Sequence, residues 1–185
     1  VKYWGKQDKT GNLPATPSLS ITLSELITQT TVTDAEHDEF WLNDRQVDDP
    51  KIARFLATLR DEHPFGPLKI VSGNNFPTGA GLASSASGFA ALMMALNTHA
   101  KLELNSETMS SLARVGSASA ARSLFGGFVV LVPPQWSAQT IMPAEHWPLN
   151  TVVAITSDTP KLIGSTEGMQ RSRARVSPSA HLAAM

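Results

Sequence analysis

Cysteine is absent from this chain of 185 residues, so neither a disulfide framework nor a thiolate metal site can form. The absence fits a reducing compartment, and we expect a cytoplasmic location. The net charge of −1 provides no global field that would favour nucleic acid as a partner. No apolar run approaches the roughly 20 residues of a membrane span, so we expect no membrane partner. The five histidines include no close pair, which argues against a zinc site built on them.

The stretch from Asn75 to Gly88 carries the strongest functional signal. Its last ten residues, Gly79–Gly88, hold three glycines and three serines and directly precede the apolar run Phe89–Leu96. Glycine lets the backbone turn sharply and approach a ligand closely. Serines at the start of a helix, together with the unpaired first-turn N–H groups, can face an anion. The stretch predicts a phosphate-binding loop; the alternative is a simple turn with a serine N-cap.

Several signatures of common enzyme classes are missing. No Gly-Lys-Ser/Thr follows the glycines, so the loop is not a P-loop, and no Gly-x-Ser-x-Gly elbow offers an activated nucleophile. The order Gly-x-Gly-x-x-Gly is absent too, which counts against a dinucleotide fold. Phosphoryl transfer needs positioning and charge neutralisation more than a protein nucleophile. We therefore expect chemistry on phosphate groups.

Three further clusters could contact an anionic ligand. If a helix begins near Ser117, Ser119 and Arg122 share one face and suit a carboxylate or phosphate; the alternative is a capped helix with a solvated arginine. The segment Val1–Lys6 offers two cations and a phenol, or is merely a charged strand end. The third cluster, from Ser157 to Arg171, is either a ligand contact or a set of capping residues.

The pattern of apolar and turn residues predicts an α+β fold, with antiparallel groups of strands and helices between them. Predicted strands are Leu19–Thr33, a hairpin over Glu39–Val47 that turns at Asn43–Asp44, Leu68–Ser72, Phe128–Val132 and Thr151–Thr156. Predicted helices are one capped by Asp49 with Ile52, Phe55, Leu56 and Leu59 on one face, one after the glycine loop, one from Asn105 to about Gly116, and a last one capped by Ser165.

The motifs and their order resemble the diphosphomevalonate decarboxylases of the GHMP kinase superfamily. The matching segments are Lys2–Lys6, Asn75–Gly88, Gly116–Ser123 and Ser165–Arg171, and the resemblance runs from Val1 to about Ser177. It implies a GHMP kinase-type N-terminal domain over residues 1–177, with a mixed, largely antiparallel sheet and helices packed on it. Residues 178–185 would begin a C-terminal domain that is mostly missing, so we interpret the chain as a fragment.

The resemblance also implies the reaction and its ligands. Mevalonate 5-diphosphate is phosphorylated on its 3-hydroxyl by ATP with Mg²⁺, then loses phosphate and CO2 to give isopentenyl diphosphate. The catalytic aspartate of the family lies beyond Met185 and has no counterpart here, and Asp158 is no substitute because it belongs to a different motif. The resemblance to this family also implies a homodimer.

The site residues implied by the resemblance fall into groups. ATP would be held by Pro77, Gly79, Gly81, Leu82, Ala83, Ser84, Ser85, Ala86 and Ser87, with Ser85 also serving the metal. The substrate diphosphate would meet Tyr3, Lys6 and Ser117; the carboxylate would meet Ser119 and Arg122; Ser165 and Met169 would line the pocket. Catalytic roles would fall to Arg122, Lys6 and Ser85.

One departure and several alternatives remain. Ala118 stands where family members usually have glycine, and its methyl group would crowd the substrate or shift the entry into the next helix. A relative of the same branch could act only as a mevalonate 3-kinase, or could use mevalonate or its monophosphate, as a phosphomevalonate decarboxylase does. In a different class, an inactive GHMP-fold protein could merely sense a ligand.

Overall fold

A computed structural model describes residues 5–7, 11–154, 167–169 and 171. Its strands are β1 (Ser18–Ile21), β2 (Thr28–Asp34), β3 (Glu39–Leu42), β4 (Arg45–Gln46), β5 (Leu68–Asn74), β6 (Phe128–Leu131) and β7 (Ala138–Met142). Its helices are α1 (Pro50–Glu62), α2 (Ser84–His99), α3 (Ser106–Gly116) and α4 (Ala120–Ser123), and a short 3₁₀ turn covers Ala144–His146. None of the helices in these ranges has the length and hydropathy that crossing a bilayer would require.

The strands form two sheets, which confirms the predicted α+β class with mostly antiparallel pairing. One sheet has the order β2-β5-β3-β4, in which β5 is antiparallel to β2 and parallel to β3. The other has the order β1-β6-β7 and is antiparallel throughout. The predicted continuous strand Leu19–Thr33 is therefore wrong, because the chain leaves one sheet after Ile21 and enters the other at Thr28.

Helices α1 and α2 pack against the four-stranded sheet and build the main core. The predicted apolar face of α1 is buried, and its Phe55 ring meets the ring of Phe89 on α2 edge-on, at 5.3 Å between centroids. From α2 the side chains of Leu92, Met93 and Leu96 enter the same core. Burial of each such side chain stabilises the fold by about 1.5–3 kcal/mol. The core thus fixes the axis of α2, and with it the position of the helix start.

The local signals for α1 and the hairpin are confirmed. Asp49 accepts a hydrogen bond from the Lys51 N–H at 2.8 Å, and Pro50 occupies the first helical position. Asn43 and Asp44 have φ values of 48° and 62°, the left-handed pair that matches the twist of a two-residue hairpin.

Arg60 and Asp38 join the end of α1 to the β2–β3 turn. The guanidinium donates to both carboxylate oxygens at 2.7 Å, and Asp38 Oδ1 also accepts from the Leu68 N–H at 2.9 Å. The hydrogen bond from Arg60 lowers the pKa of the Asp38 carboxyl and raises the pKa of the guanidinium. These hydrogen bonds hold the β2–β3 turn against the end of α1 and the first residue of β5.

The region after Leu131 departs most from the sequence expectations. Strand β7 was not predicted, because Ala138–Met142 shows no clear alternation. A strand over Thr151–Thr156 was predicted, but Thr151–Ala154 is exposed and has no regular structure. Strand propensity alone does not form a strand without a pairing neighbour. Residues 155 and 156, the predicted cap Ser165 and residues 178–185 lie outside the described ranges; the domain division stays a prediction.

Candidate ligand-binding site at the start of helix α2

The loop before α2 has an unusual backbone. Gly79 and Gly81 have φ values of 75° and 102°, and Ala83 is left-handed at 57°. Ala83 is the N-cap and makes no side-chain capping bond, so the simple serine-cap alternative is wrong. Ser84 lies inside the helix instead, and its Oγ accepts the N–H of Gly79 at 3.1 Å. This bond folds the loop back on the first turn of α2.

The start of α2 is suited to an anion. A helix leaves its first N–H groups without intrahelical partners, and its dipole places positive charge there. No acidic residue lies in the first turn of α2 to neutralise that charge. The 16-residue helix therefore presents Ser84 and Ser85, with their backbone N–H groups, at a terminus that attracts phosphate.

Three serine hydroxyls form a row that runs from the first turn of α2 to the connection between α3 and α4. Ser85 Oγ lies 3.4 Å from Ser117 Oγ, which in turn lies 3.5 Å from Ser119 Oγ. Gly116 permits this approach, since a Cβ atom on it would lie 2.1 Å from Cδ1 of Phe89 on α2. The packing of α3 on α2 thus joins the predicted nucleotide loop to the predicted substrate residues.

Arg122 and Ser119 line a cleft of about 390 Å³ beside the loop. The same cleft is lined by Leu82, Ala83 and Ser87. Arg122 is only 8% exposed, and its Nη1 donates to Ser18 Oγ on β1, so the solvated-arginine alternative is wrong. A guanidinium can bind a carboxylate or a phosphate through two parallel hydrogen bonds. No aspartate or glutamate is among the described residues that line this cleft.

The helix in this cluster begins later than predicted. Ser117 is extended, with φ −153° and ψ 124°, and α4 begins at Ala120 with Ser119 as its N-cap. The extended backbone at Ser117 interrupts the helical conformation between α3 and α4. As a result, the hydroxyls of Ser117 and Ser119 lie beside α2 instead of within one helix.

A smaller cavity of about 140 Å³ lies on the other side of the first turn of α2. Its walls come from the four-stranded sheet, α1 and α2, and include Phe40, Asn74, Thr78, Ser84 and Ser85. Polar groups therefore lie near the helix start on both sides. The two spaces are separated by the first turn of α2.

Lys6 is attached to the end of α3 through Asn12. Lys6 Nζ donates to Asn12 Oδ1 at 2.5 Å, and Asn12 Nδ2 donates to the carbonyl oxygen of Val115. Neither Asn12 nor Ser18, the partner of Arg122, belongs to a local sequence motif that would mark it as a functional residue. Tyr3 and Ser165, two of the predicted substrate residues, lie outside the described residues.

Met169 is buried and packs against Ala118. The methyl group of Ala118 therefore contacts Met169 and does not line either of the two cavities. The expected crowding of a ligand by this methyl group does not follow from its position.

The comparisons with known proteins decide the family. Residues 1–140 match the family model described as the diphosphomevalonate decarboxylase-like N-terminal domain. The chain belongs to this family. A curated diphosphomevalonate decarboxylase from Candida albicans is 46% identical over 92% of this chain and 54% of its own length, and the one from Homo sapiens is 37% identical over 93% and 50%. The chain spans about half the length of the curated relatives it matches.

Solved structures of diphosphomevalonate decarboxylases have the same fold. The mevalonate diphosphate decarboxylase from Staphylococcus aureus matches with a TM-score of 0.75 and 33% identity, over 91% of this chain and 55% of its own. The enzyme from Trypanosoma brucei matches with a TM-score of 0.75 and 37% identity, over 96% and 52%. A structure of MDDEF in complex with MVAPP, AMPPCP and magnesium gives a TM-score of 0.76 and 36% identity, over 91% and 55%.

Proposed function

We propose that this chain forms the ATP- and substrate-binding part of a diphosphomevalonate decarboxylase. The reaction converts mevalonate 5-diphosphate and ATP into isopentenyl diphosphate, ADP, phosphate and CO2, in the mevalonate route to isoprenoids. The family membership of the chain supports this assignment, and so does the composition of the site. One observation carries it above all: the hydroxyl row of Ser85, Ser117 and Ser119 connects an anion-binding helix start to a cleft that holds a buried arginine.

The loop before α2 fits the triphosphate of ATP. Its glycines at positive φ bring the backbone close to a ligand, and no first-turn carboxylate would repel phosphate. The predicted set from Pro77 to Ser87 would hold the nucleotide, and Ser85 would supply a hydroxyl oxygen to Mg²⁺. ATP would supply the phosphoryl group, and Mg²⁺ would neutralise the charge that develops on it. The complex of MDDEF with AMPPCP and magnesium supports this nucleotide and metal.

Arg122 would bind the carboxylate that leaves as CO2. A guanidinium can hold a carboxylate with two parallel hydrogen bonds, and Ser119 lines the same cleft to add a third donor. Ser18 accepts from one nitrogen of the guanidinium and fixes its orientation. Because the carboxylate must be released, the arginine should position the group without binding it maximally.

The opposite end of the substrate, its diphosphate, would meet Lys6 and Ser117. An ammonium and a hydroxyl are suitable partners for phosphate oxygens, and Asn12 links Lys6 to the backbone two residues before Ser117. Tyr3, Ser165 and Met169 complete the proposed substrate set. A substrate without a diphosphate would make no use of the proposed contacts of Lys6 and Ser117, which favours the decarboxylase over an enzyme for mevalonate itself.

The test uses the complete gene product with ATP and mevalonate 5-diphosphate, and measures CO2 alongside ADP. Equal amounts of both are expected. ADP without CO2 would indicate a 3-kinase, activity confined to mevalonate 5-phosphate would indicate a phosphomevalonate decarboxylase, and binding without turnover would indicate a ligand sensor. The predicted homodimer is checked in the same preparation by its sedimentation mass.

A further inference from the structure

Asn12 connects the segment that carries Lys6 to the end of helix α3. Its side-chain oxygen accepts a 2.5 Å hydrogen bond from Lys6 Nζ, and its side-chain nitrogen donates to the carbonyl oxygen of Val115. An amide side chain can do both at once because it carries an acceptor and two donors. One residue therefore contacts the proposed diphosphate-binding lysine and the backbone just before Ser117.

The backbone around Asn12 is held in place as well. Asn12 has a φ of 52°, a left-handed conformation that asparagine tolerates better than most residues. Its neighbour Gly11 accepts a hydrogen bond from Nη1 of Arg114 on α3. Gln7 and Leu13 pair through a 2.8 Å backbone bond beside Lys6. Asn12 is thus fixed on both sides, and its amide is aimed at the lysine.

We propose that Asn12 is a positioning residue for substrate binding: it orders the Lys6 ammonium beside the end of α3, so that Lys6 and Ser117 meet the same diphosphate. A lysine side chain has large rotamer freedom, and ordering it before the substrate arrives removes that entropic cost from binding. An ammonium carries three donors, so a bond to Asn12 is compatible with bonds to phosphate oxygens. The inference rests on the proposed function, because it needs Lys6 to meet the diphosphate.

The first test is Asn12→Gly in the complete gene product. Glycine keeps the left-handed backbone and removes both side-chain bonds. We expect KM for mevalonate 5-diphosphate to rise about 10-fold, as for a lost hydrogen bond to a charged group, while KM for ATP and kcat change less than about twofold. Glu103→Gly is the matched control, since Glu103 is exposed, has a φ of 54° and follows the far end of α2. It should leave both KM values unchanged.

A double-mutant cycle separates positioning from a structural role. Lys6→Met should itself raise KM for mevalonate 5-diphosphate, and Asn12→Gly should then add nothing in the Lys6→Met background. If Lys6→Met raises KM and Asn12→Gly adds its full effect, Asn12 does not act through Lys6 and the inference is overturned. If Lys6→Met leaves KM unchanged, the proposed diphosphate contact of Lys6 fails and the inference fails with it.

Asn12→Asp provides a second variant should the glycine variant not fold. Aspartate keeps an oxygen acceptor for Lys6, but its charge competes with the diphosphate for the ammonium. KM for mevalonate 5-diphosphate should therefore rise. The difference in KM between the variant and the unmodified protein should become smaller as salt screens the interaction between the new carboxylate and the Lys6 ammonium. A KM equal to that of the unmodified protein at low salt would overturn the inference.

Discussion

Replacement of Gly116 by alanine places a methyl group where helix α3 meets helix α2. The new Cβ atom would lie 2.1, 2.5 and 2.6 Å from three ring carbons of Phe89. Those distances are far below van der Waals contact, so the ring or the helix must move. The ring has little room, because it is 6% exposed and packs edge-on against Phe55 at 5.3 Å. We expect α3 and the following Ser117 to shift away from α2.

Two opposing effects set the magnitude. Overpacking of a well-packed core costs about 1–3 kcal/mol. Alanine gains up to about 1 kcal/mol over glycine in a helix interior, and less at the last residue of α3, where Gly116 lies. The net loss in the free energy of unfolding should therefore be about 1–2 kcal/mol. Separation of Ser117 from Ser85 should also raise KM for the diphosphate substrate.

Urea unfolding of the complete gene product measures the first quantity, and steady-state kinetics measure the second. Gly88→Ala is the matched control: apart from its chain neighbours and the nearby backbone of α2, no atom lies within 4 Å of the added Cβ, so it should stabilise α2 by about 0.5–1 kcal/mol. Phe89→Leu in the Gly116→Ala background should recover part of the loss, as coupled neighbours do. A stabilising Gly116→Ala, or strictly additive costs of the two substitutions, would refute the steric argument.

Three further substitutions test other contacts. Arg122→Gln should lower kcat/KM by an amount that corresponds to a loss of about 2–4 kcal/mol of transition-state stabilisation. Unchanged kinetics would show that Arg122 does not contact the substrate. Asp38→Asn should lower the thermal midpoint above about pH 4, the unfolded pKa range of aspartate. Because the pKa of Asp38 is lowered by Arg60, this difference should shrink as the pH falls from about 4 through the folded pKa; a difference that stays constant as the pH is lowered would contradict an ionic origin. Ala118→Gly, which removes a buried contact to Met169, should destabilise by about 1 kcal/mol, and a KM shift without a stability loss would place the methyl group against the substrate instead.

Local signals predicted local structure well. The cap at Asp49, the turn at Asn43–Asp44 and the apolar face of α1 depend on neighbours within a few residues, and each is confirmed. The glycine–serine stretch was correctly placed between a strand and a helix for the same reason.

Long-range contacts lay beyond the sequence patterns. The approach of Ser85 to Ser117 depends on the packing of Gly116 against Phe89, which no motif encodes. Strand β7 forms because β6 offers it a partner, whereas Thr151–Ala154 remains without regular structure despite its strand propensity. The link between Lys6 and Asn12 spans only six residues, yet it was missed because the side-chain direction of a loop asparagine has no sequence signature.

The conformation of Ala83 has a consequence for how quickly the loop can respond to a ligand. An L-residue with a side chain adopts φ 57° only at a cost of about 1–2 kcal/mol, so the surrounding contacts must impose it. The contacts around Ala83 therefore hold the backbone of the loop in this strained conformation. A ligand that binds the loop in this conformation would require no change of its backbone, and its capture would then be limited by diffusion and charge.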